Sequence, residues 1–551
     1  MFQHIKNHAG ILIILVLTVI AYLNSLHCDY QFDDIRVILE DGFIKNFANF
    51  THIETWKTVN NRPFALFTFA LNYKLHGINI VGYHLANIAI HLSSVVLVYI
   101  LTIKLFNLAN VKISTIASLL PALVFAVNPI QSQAVTYVVQ RMTSLSVLFY
   151  LGAFCAYLEM RTATGKNLRA KRPAFAFITG LCIVLSILSK LICLSIFITI
   201  AASEAFIISQ NGKRVPKIFA IFYSILIIAG LSYVVRSGSL PHQDLTISRY
   251  NYFITQLHVL PTYFKIMFTG TGQNIDHYVL PIASMSIQAI FGALLYIGAI
   301  TLLFFKTNPI VKFASVFFIG SMLIESSVIP ITDTIVEHRW YLPIIPVMLI
   351  LTAIYNRYSE IVNKKYHYVA LGLIAVSMTA VTINRNRVWE SKAKLWLDSY
   401  EKNPQNPRAL NNYAHALMLE DRYAETIPLL LCAMAINPAK TIPITNIAIS
   451  YSYIHNWERA DYYLKIAEQL VPTQSETAYA RGVYLNEKGD YAHAAVQFNN
   501  AISADRLNYR AREDLIECLN KTRNETEGLK QQMALLELNP DYLKAERGEY
   551  R

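Results

Sequence analysis

Long apolar runs separated by short polar segments recur through the first 385 residues of the chain. Such runs are typical of transmembrane helices, because a helix needs about 20 apolar residues to cross the hydrocarbon layer of a bilayer. The first run has no small-residue cleavage site after it, so we interpret it as an uncleaved span. The pattern predicts about eleven spans, at 10–26, 84–104, 113–127, 141–160, 173–189, 191–209, 217–235, 284–305, 313–331, 341–355 and 366–383.

Basic residues collect in alternate loops between these runs, in a chain that is 54% apolar and 15% charged, with a net charge of +12. With the N-terminus in the cytoplasm, the strongly basic loops all fall on the cytoplasmic side, as the positive-inside rule expects. The charge therefore indicates topology and not nucleic-acid binding. An odd number of spans places the residues after 385 outside the cytoplasm. The loop residues are Lys104, Lys112, Arg161, Lys166, Arg169, Lys171, Arg172, Lys213, Arg214, Lys217, Lys306, Lys312, Arg357, Lys364 and Lys365.

The composition changes after residue 385 to that of a water-soluble domain, and a period of 34 residues appears. Small residues recur in the first helix of each unit, aromatic residues begin the second helix, and prolines close two of the units. This pattern resembles the tetratricopeptide repeat, with three clear copies and degenerate caps over about 390–545. We expect a membrane domain at 1–384 and a repeat domain at 385–551, whose concave surface binds a polypeptide. The repeated positions are Ala414, Ala448 and Gly482, then Tyr423, Trp457 and Tyr491, then Pro438 and Pro472.

Polar residues gather on the side of the membrane where the tail is expected. Asp33 and Asp34 follow the first span, and two adjacent carboxylates can share a proton, hold a metal or accept a proton from a hydroxyl. A solvated loop pair is the alternative. His84, Asn87 and His91 are spaced to share one face of the second span, which favours a cavity lining over packing alone.

Cations follow on the same side and suit a phosphate or lipid headgroup. Arg339 lies beside Glu337 and His338 at the start of the tenth span, where a topology anchor is the alternative. Lys190 lies between two apolar runs, where it either snorkels to the interface or faces the site. The other arginines on this side are Arg62 and Arg141.

These segments, in this order, resemble the transmembrane and tetratricopeptide-repeat O-mannosyltransferases and their bacterial relatives. The likeness covers nearly the whole chain. Three departures stand out: Asn128 where relatives usually have His before Pro129, Gln133 where they often have Glu, and Leu191 after Lys190 where an acidic residue is common. The matching parts are Phe32-x-Asp34, Asn61-Arg62-Pro63, Gly82-Tyr83-His84-x-x-Asn87-x-x-x-His91, Asn128-Pro129 with Tyr137 and Arg141, and Glu337-x-Arg339-x-Tyr341.

The resemblance implies an all-α protein of GT-C architecture that takes a sugar from a polyprenyl-phosphate donor to Ser or Thr of a protein on the non-cytoplasmic face. It implies inversion at the anomeric carbon, with Asp34 or Asp33 as the base; we favour Asp34. Arg339 is the first choice for the donor phosphate, followed by Arg62, Arg141 and Lys190. A divalent cation stays open, with His84, His91, Glu337 and His338 as residues that complete the pocket or hold it.

The expected location is a bacterial inner membrane with periplasmic repeats, or the endoplasmic reticulum with lumenal repeats in a eukaryote. The expected partners are the lipid-linked donor, a protein acceptor held by the repeats and membrane lipids, without nucleic acid. Three alternatives stay open. They are an oligosaccharyltransferase that uses a lipid pyrophosphate, a glycosyltransferase acting on a lipid or polysaccharide, and a non-enzymatic membrane-anchored scaffold.

Overall fold

The computed structural model is helical, without strands, over the residues that it describes: 2–51, 54, 56, 62–163, 170–211, 247–305, 308–328, 330, 331, 333–359, 361, 363–542, 544 and 549. The helices Thr115–Val127 and Pro129–Val135 follow each other with a bend of 46° between them. Counted as one bent span, they add a seventh candidate among the described residues. In the described part of the membrane half, three apolar helices are shorter: Arg172–Ile187, Pro309–Leu323 and Ile344–Tyr358. Among the described residues, six helices are long and apolar enough to cross a membrane: Ala9–His27, Ile80–Leu108, Val138–Thr162, Leu191–Ile208, Ile287–Phe304 and Lys365–Glu390.

These helices fall on the apolar runs predicted from the sequence, so the chain is a multi-pass membrane protein with an all-α fold. The predicted span at 217–235 lies outside the described residues, as do Asn61, Lys166, Arg169, Lys213, Arg214, Lys217 and Lys306. The total of eleven spans and the orientation of the termini therefore stay predictions. Two further helices, Pro63–His76 and Arg249–Thr269, lie between the spans.

The tail is an array of helical hairpins. The first helices of the hairpins begin 34 residues apart, at Pro407, Thr441, Ser475 and Tyr509. The predicted small-residue positions are close-packed: a Cβ added at Gly482 would lie 2.5 Å from the Phe498 ring. The fourth hairpin is the degenerate cap expected from the sequence. The helices are Lys392–Lys402, Pro407–Met418, Tyr423–Ile436, Thr441–Tyr453, Trp457–Leu470, Ser475–Glu487, Tyr491–Ala504, Tyr509–Lys521 and Glu525–Leu538.

The array packs against segments between the spans of the membrane half through a shared apolar cluster. Tyr30 and Tyr137 belong to this cluster from the membrane half, and Trp396 and Ala409 join it from the tail. The predicted boundary at 384/385 falls inside the helix Lys364–Arg387, which is the last apolar helix of the membrane half. The division into two domains stays a prediction, and the contact between the two halves forms one wall of the candidate site.

Candidate functional site

A pocket lies where the segment at 28–41 after the first span, the loop at 273–278, the segment before Ile344 and the start of the repeat array meet. Its polar lining includes Asp33 from the segment at 28–41, Asp276 and Asp333 from the two later loops, and Arg408 from the repeats. The other lining residues are Phe32, Gln133, Tyr137, Gln140, Ile275, Ile335, Val336, His338 and Trp396. Of the site residues predicted from the sequence, Asp33 and His338 line this pocket.

Asp33 and Asp34 occupy different environments. Asp34 is only 1% exposed. Its two carboxylate oxygens accept the backbone N–H groups of Gln31 at 3.0 Å and Val139 at 2.6 Å. Burial raises the pKa of Asp34 to about 8, although the hydrogen bonds from these N–H groups act in the opposite direction and lower it. Asp34 therefore connects its own segment to the backbone at Val139. Its neighbour Asp33 lines the pocket.

Asp33 lies on the pocket wall, with its backbone N–H donating to the Tyr137 hydroxyl at 2.9 Å. Partial burial raises the pKa of the Asp33 carboxyl above its usual value; the hydrogen bond from Tyr137 opposes this rise, and the charge of Asp333 adds to it. A carboxylate with a raised pKa is a better proton acceptor than an ordinary aspartate. Of Asp33 and Asp34, Asp33 is therefore the one placed to accept a proton from a group in the pocket.

Phe32, directly before Asp33, has a φ of 45°, in the left-handed region that bulky side chains rarely adopt. Its ring packs edge-on against Trp396 of the tail, with ring centroids 5.8 Å apart. Such a conformation costs of order 1–3 kcal/mol and persists where surrounding contacts hold it. The turn directly precedes Asp33, which lines the pocket, and Asp34, which does not.

A cluster of cations lies beside the pocket. Lys190 Nζ is 3.1 Å from Glu325 Oε1 and donates to Thr143 Oγ1 at 3.1 Å. Burial lowers the pKa of Lys190 to about 8, with Glu325 opposing. Arg339 donates to the carbonyl oxygens of Thr334 at 3.2 Å and Asp333 at 2.7 Å. The charges of Arg339 and Arg62 act on both Lys190 and Glu325. Lys190 thus pairs with the Glu325 carboxylate, and the charges of Arg339 and Arg62 also act on it. The sequence pattern did not single out Glu325.

His338 connects the cation cluster to the pocket. Its Nδ1 lies 3.1 Å from Gln133 Oε1, and because an amide oxygen only accepts, Nδ1 carries the proton. Burial lowers the pKa of His338 well below its usual value, and Lys190 and Arg339 lower it further. The ring is therefore neutral at physiological pH, and it adds no positive charge to the cluster.

The buried membrane histidines are packing residues in the described structure. His84 Nε2 donates to the Cys28 carbonyl oxygen at 3.3 Å. His91 Nε2 donates to the Ala126 carbonyl oxygen at 3.0 Å, which leaves Nδ1 to accept from the Tyr341 hydroxyl at 2.8 Å. Neither histidine lines the pocket. The sequence predicts that His84 and His91 share one helix face and line a cavity. In the structure both side chains instead hydrogen-bond to neighbouring segments.

Arg141 is held entirely by protein groups. Its guanidinium donates to Asn87 Oδ1 at 2.7 Å, Asn72 Oδ1 at 2.6 Å and the Tyr83 carbonyl oxygen at 2.9 Å. It also lies 4.6 Å from the Phe69 ring centroid and is 1% exposed. The structure therefore does not bring Arg141 to the pocket with Asp33, nor to the cations around Glu325.

Glu337 orients the loop that carries Asp276. Glu337 Oε1 accepts the Asn274 N–H at 2.6 Å and lies 3.3 Å from His277 Nε2, and Oε2 accepts from Gln273 at 3.2 Å. Among the residues that the structure describes, no three His, Cys, Asp or Glu side chains form a group that could hold a metal ion. The divalent cation considered from the sequence stays a prediction.

Of the three departures from the family pattern, only Gln133 lines the pocket. Asn128 donates to the Met267 carbonyl oxygen at 2.8 Å and accepts the Ile130 N–H at 3.1 Å, so it caps a short helix. Leu191 is exposed. Gln133 is thus the departure placed to change what the pocket recognises.

A second groove lies on the repeat array. Asn446 donates to Asn411 Oδ1 at 3.0 Å between neighbouring hairpins. Tyr423 and Tyr453 stack with ring centroids 4.2 Å apart at its wall. The other lining residues include His415, Tyr479, Asn508, Arg510 and Asp514. Amides and aromatic rings of this kind suit an extended polypeptide.

The chain resembles curated membrane enzymes over most of its length. It is 24% identical over 517 residues to protein O-mannosyl-transferase TMTC3 of Homo sapiens, covering 85% of this chain and 55% of that protein. The chain is a relative of protein O-mannosyl-transferases. It is 21% identical to Tmtc3 of Drosophila melanogaster, over 85% of this chain and 59% of that protein. The resemblance inferred from the sequence motifs is confirmed.

Shorter similarities add to this comparison. The O-mannosyl-transferase F38B6.6 of Caenorhabditis elegans is 30% identical over 29% of this chain and 24% of that protein. The chain spans about half the length of the curated relatives that it matches over most of its own length. No protein-family model matches it. Among solved structures, the repeat protein TTC0263 of Thermus thermophilus is 19% identical, with a TM-score of 0.26 over 33% of this chain and 94% of that chain.

Proposed function

We propose that this protein transfers a single sugar, mannose by relation to its curated relatives, from a polyprenyl-phosphate donor to Ser or Thr of a protein acceptor. The reaction takes place on the non-cytoplasmic face of the membrane, the inner membrane in a bacterium. The similarity to protein O-mannosyl-transferases over 85% of the chain supports the reaction class. The observation that carries the proposal is a pocket carboxylate, Asp33, next to a cation cluster in which Lys190 and Arg339 are buried.

The cation cluster is suited to the donor phosphate. Lys190, Arg339 and Arg62 carry three positive charges and Glu325 one negative charge, so the cluster has a net formal charge of +2. Among the described residues, no group hydrogen-bonds to Glu325 Oε2, so the carboxylate is only partly satisfied there. An arginine that donates to a phosphate forms charge-assisted hydrogen bonds, which are stronger than neutral ones. The cluster lies at the level of the span ends, where a lipid headgroup is expected.

The pocket carboxylate is suited to the proton. In the proposed step, the acceptor hydroxyl oxygen bonds to the anomeric carbon while the bond from that carbon to the phosphate oxygen breaks. The proton of the hydroxyl passes to Asp33, and the electron pair of the broken bond leaves with the lipid phosphate. Attack from the face opposite the phosphate inverts the anomeric carbon. Asp33 replaces Asp34 as the favoured base, because both oxygens of Asp34 already accept backbone N–H groups.

The groove of the repeat array is suited to the acceptor. Asn411, Asn446 and Asn508 line it, and side-chain amides of this kind can bond the backbone of an extended chain at successive residues. Because the array begins at the catalytic pocket, a chain bound along the groove reaches Asp33 without crossing the membrane. The proposed role of the repeats is to hold the polypeptide next to the site of transfer.

The direct test uses purified protein, polyprenyl-phosphate mannose labelled in the sugar and a Ser/Thr-rich peptide. We expect labelled peptide with the monophosphate donor and none with a polyprenyl-pyrophosphate oligosaccharide. Transfer only from the pyrophosphate donor would identify an oligosaccharyltransferase. Transfer to lipid or polysaccharide but not to peptide would identify a different acceptor. No transfer from any lipid-linked sugar would support the scaffold alternative and overturn the proposal.

A further inference from the structure

The repeat array supplies a side chain to the catalytic pocket. Arg408 lies in the first turn of helix Pro407–Met418. Its Nε donates to Asp276 Oδ2 at 2.5 Å and its Nη2 donates to Asp333 Oδ1 at 2.8 Å. Its guanidinium also lies 5.9 Å from the Phe32 ring centroid, next to Asp33. One guanidinium therefore joins two carboxylates from separate loops.

The charge balance of the pocket depends on this arginine. The lining includes the carboxylates of Asp33, Asp276 and Asp333, and among its described residues Arg408 is the one lysine or arginine. Burial raises the pKa of Asp276, but hydrogen bonding and attraction by Arg408 outweigh burial and hold that pKa below its usual value. Without the guanidinium, three carboxylates would face one another, and like charges disfavour ionisation.

The array is fastened to the membrane half at both ends, so the position of Arg408 is fixed. Near its start, Lys402 Nζ donates to the Gln273 carbonyl oxygen at 2.6 Å. Near its end, the Tyr73 hydroxyl donates to Asp541 Oδ2 at 2.5 Å, and Asn539 Nδ2 donates to the Leu39 carbonyl oxygen at 2.8 Å. These contacts and the shared apolar cluster keep the first repeat against the pocket.

We propose that Arg408 is a positioning residue of the transferase, which clamps Asp276 and Asp333 together and thereby leaves Asp33 ionised and free to accept the acceptor proton. The inference rests on the proposed function and extends it, because the repeats then form part of the catalytic pocket as well as a surface for the acceptor. The other titratable groups around Asp33 are Tyr137 and His338, which also line the pocket, the neighbouring Asp34, and Arg36 on the same segment.

The test measures kcat, and KM for donor and for peptide, as a function of pH in the wild-type protein and in three variants. The variants are R408Q, R408K and the double variant R408Q/D333N. The control is R422Q, because Arg422 is an exposed arginine of the same hairpin that bonds Glu420 and Glu425.

In R408Q we expect the acidic limb of kcat to move up by about one pH unit, and kcat below that limb to fall about tenfold. The KM for the donor should stay unchanged. R408K should shift less, and removing the charge of Asp333 in the double variant should move the limb back toward the wild type.

Wild-type kcat and pH dependence in R408Q would overturn this inference and leave the proposed function standing. A fall in kcat without a pH shift, unrelieved in R408Q/D333N, would also overturn it, since a merely structural role predicts that result. A wild-type protein that transfers no sugar would overturn the proposed function first, and this inference with it.

Discussion

Asp33 and Asp34 are neighbours in the chain, yet Asp33 lines the pocket while Asp34 is buried with both carboxylate oxygens bound to backbone N–H groups. A left-handed turn at Phe32 directly precedes them. This division assigns different roles to two residues that the sequence presents as a pair.

Replacing Asp34 with Asn should destabilise the protein. An amide nitrogen cannot accept a hydrogen bond, so the N–H group of Gln31 or of Val139 loses its partner. Leaving a buried donor unpaired costs about 1–3 kcal/mol. Thermal unfolding in detergent measures this, with D41N as the control, because asparagine keeps the helix-capping role of the exposed Asp41. An unfolding midpoint for D34N equal to that of the wild type would contradict the assignment.

Replacing Arg339 or Lys190 with Ala should weaken donor binding. Each removes a charge-assisted contact to phosphate worth about 1.5–3 kcal/mol, which is roughly ten- to a hundred-fold in affinity. Binding of a non-transferable polyprenyl-phosphate sugar measures the change. K265A is the matched control, since Lys265 is an exposed lysine on the neighbouring helix Arg249–Thr269. Equal donor affinities in all three variants would place the phosphate elsewhere.

Replacing Arg141 with Lys should reduce stability and spare donor affinity. A lysine has one ammonium group and cannot donate at once to Asn87, Asn72 and the Tyr83 carbonyl oxygen as the guanidinium does. Losing these contacts at a buried charge should cost more than about 3 kcal/mol. The unfolding temperature and the donor affinity are measured on the same sample. A stable R141K protein with weakened donor binding would return Arg141 to the phosphate site.

Sequence reasoning predicts the apolar helices and the repeats because each follows from a local sequence pattern. A bilayer requires an apolar run of fixed length. A repeat requires small residues at constant spacing, and helices Pro407–Met418, Thr441–Tyr453 and Ser475–Glu487 begin 34 residues apart. Each of these features is local, so a single window of sequence contains it.

The site is less predictable because it joins distant segments. Asp276, Asp333 and Arg408 meet in one pocket, but nothing local marks the arginine, which stands at an ordinary position of a repeat helix. Glu325 was missed for the same reason. Arg141 was assigned to phosphate because it follows a span mouth, and the surrounding amides that occupy it come from other segments.

The orientation of the tail can be tested with its cysteines. Cys432 is exposed on the repeat array, while Cys518 is buried within it. We expect a membrane-impermeant thiol reagent to label Cys432 in intact spheroplasts, because the parity of the basic loops places the tail outside the cytoplasm. C432S is the control for labelling at this position. Labelling that requires permeabilised membranes would reverse the topology and remove the pocket from the non-cytoplasmic face.

The central claim, that Asp33 is the base, is tested most directly by the turnover of D33N at saturating donor and peptide. A base must be ionised, and the pKa of Asp33 is raised, so wild-type turnover should fall as the pH drops through a value above that of an ordinary aspartate. D33N should lower turnover by about 10²–10⁴-fold and abolish this acidic limb, while its donor affinity stays that of the wild type. Turnover of D33N close to that of the wild type, with the acidic limb retained, would contradict the account.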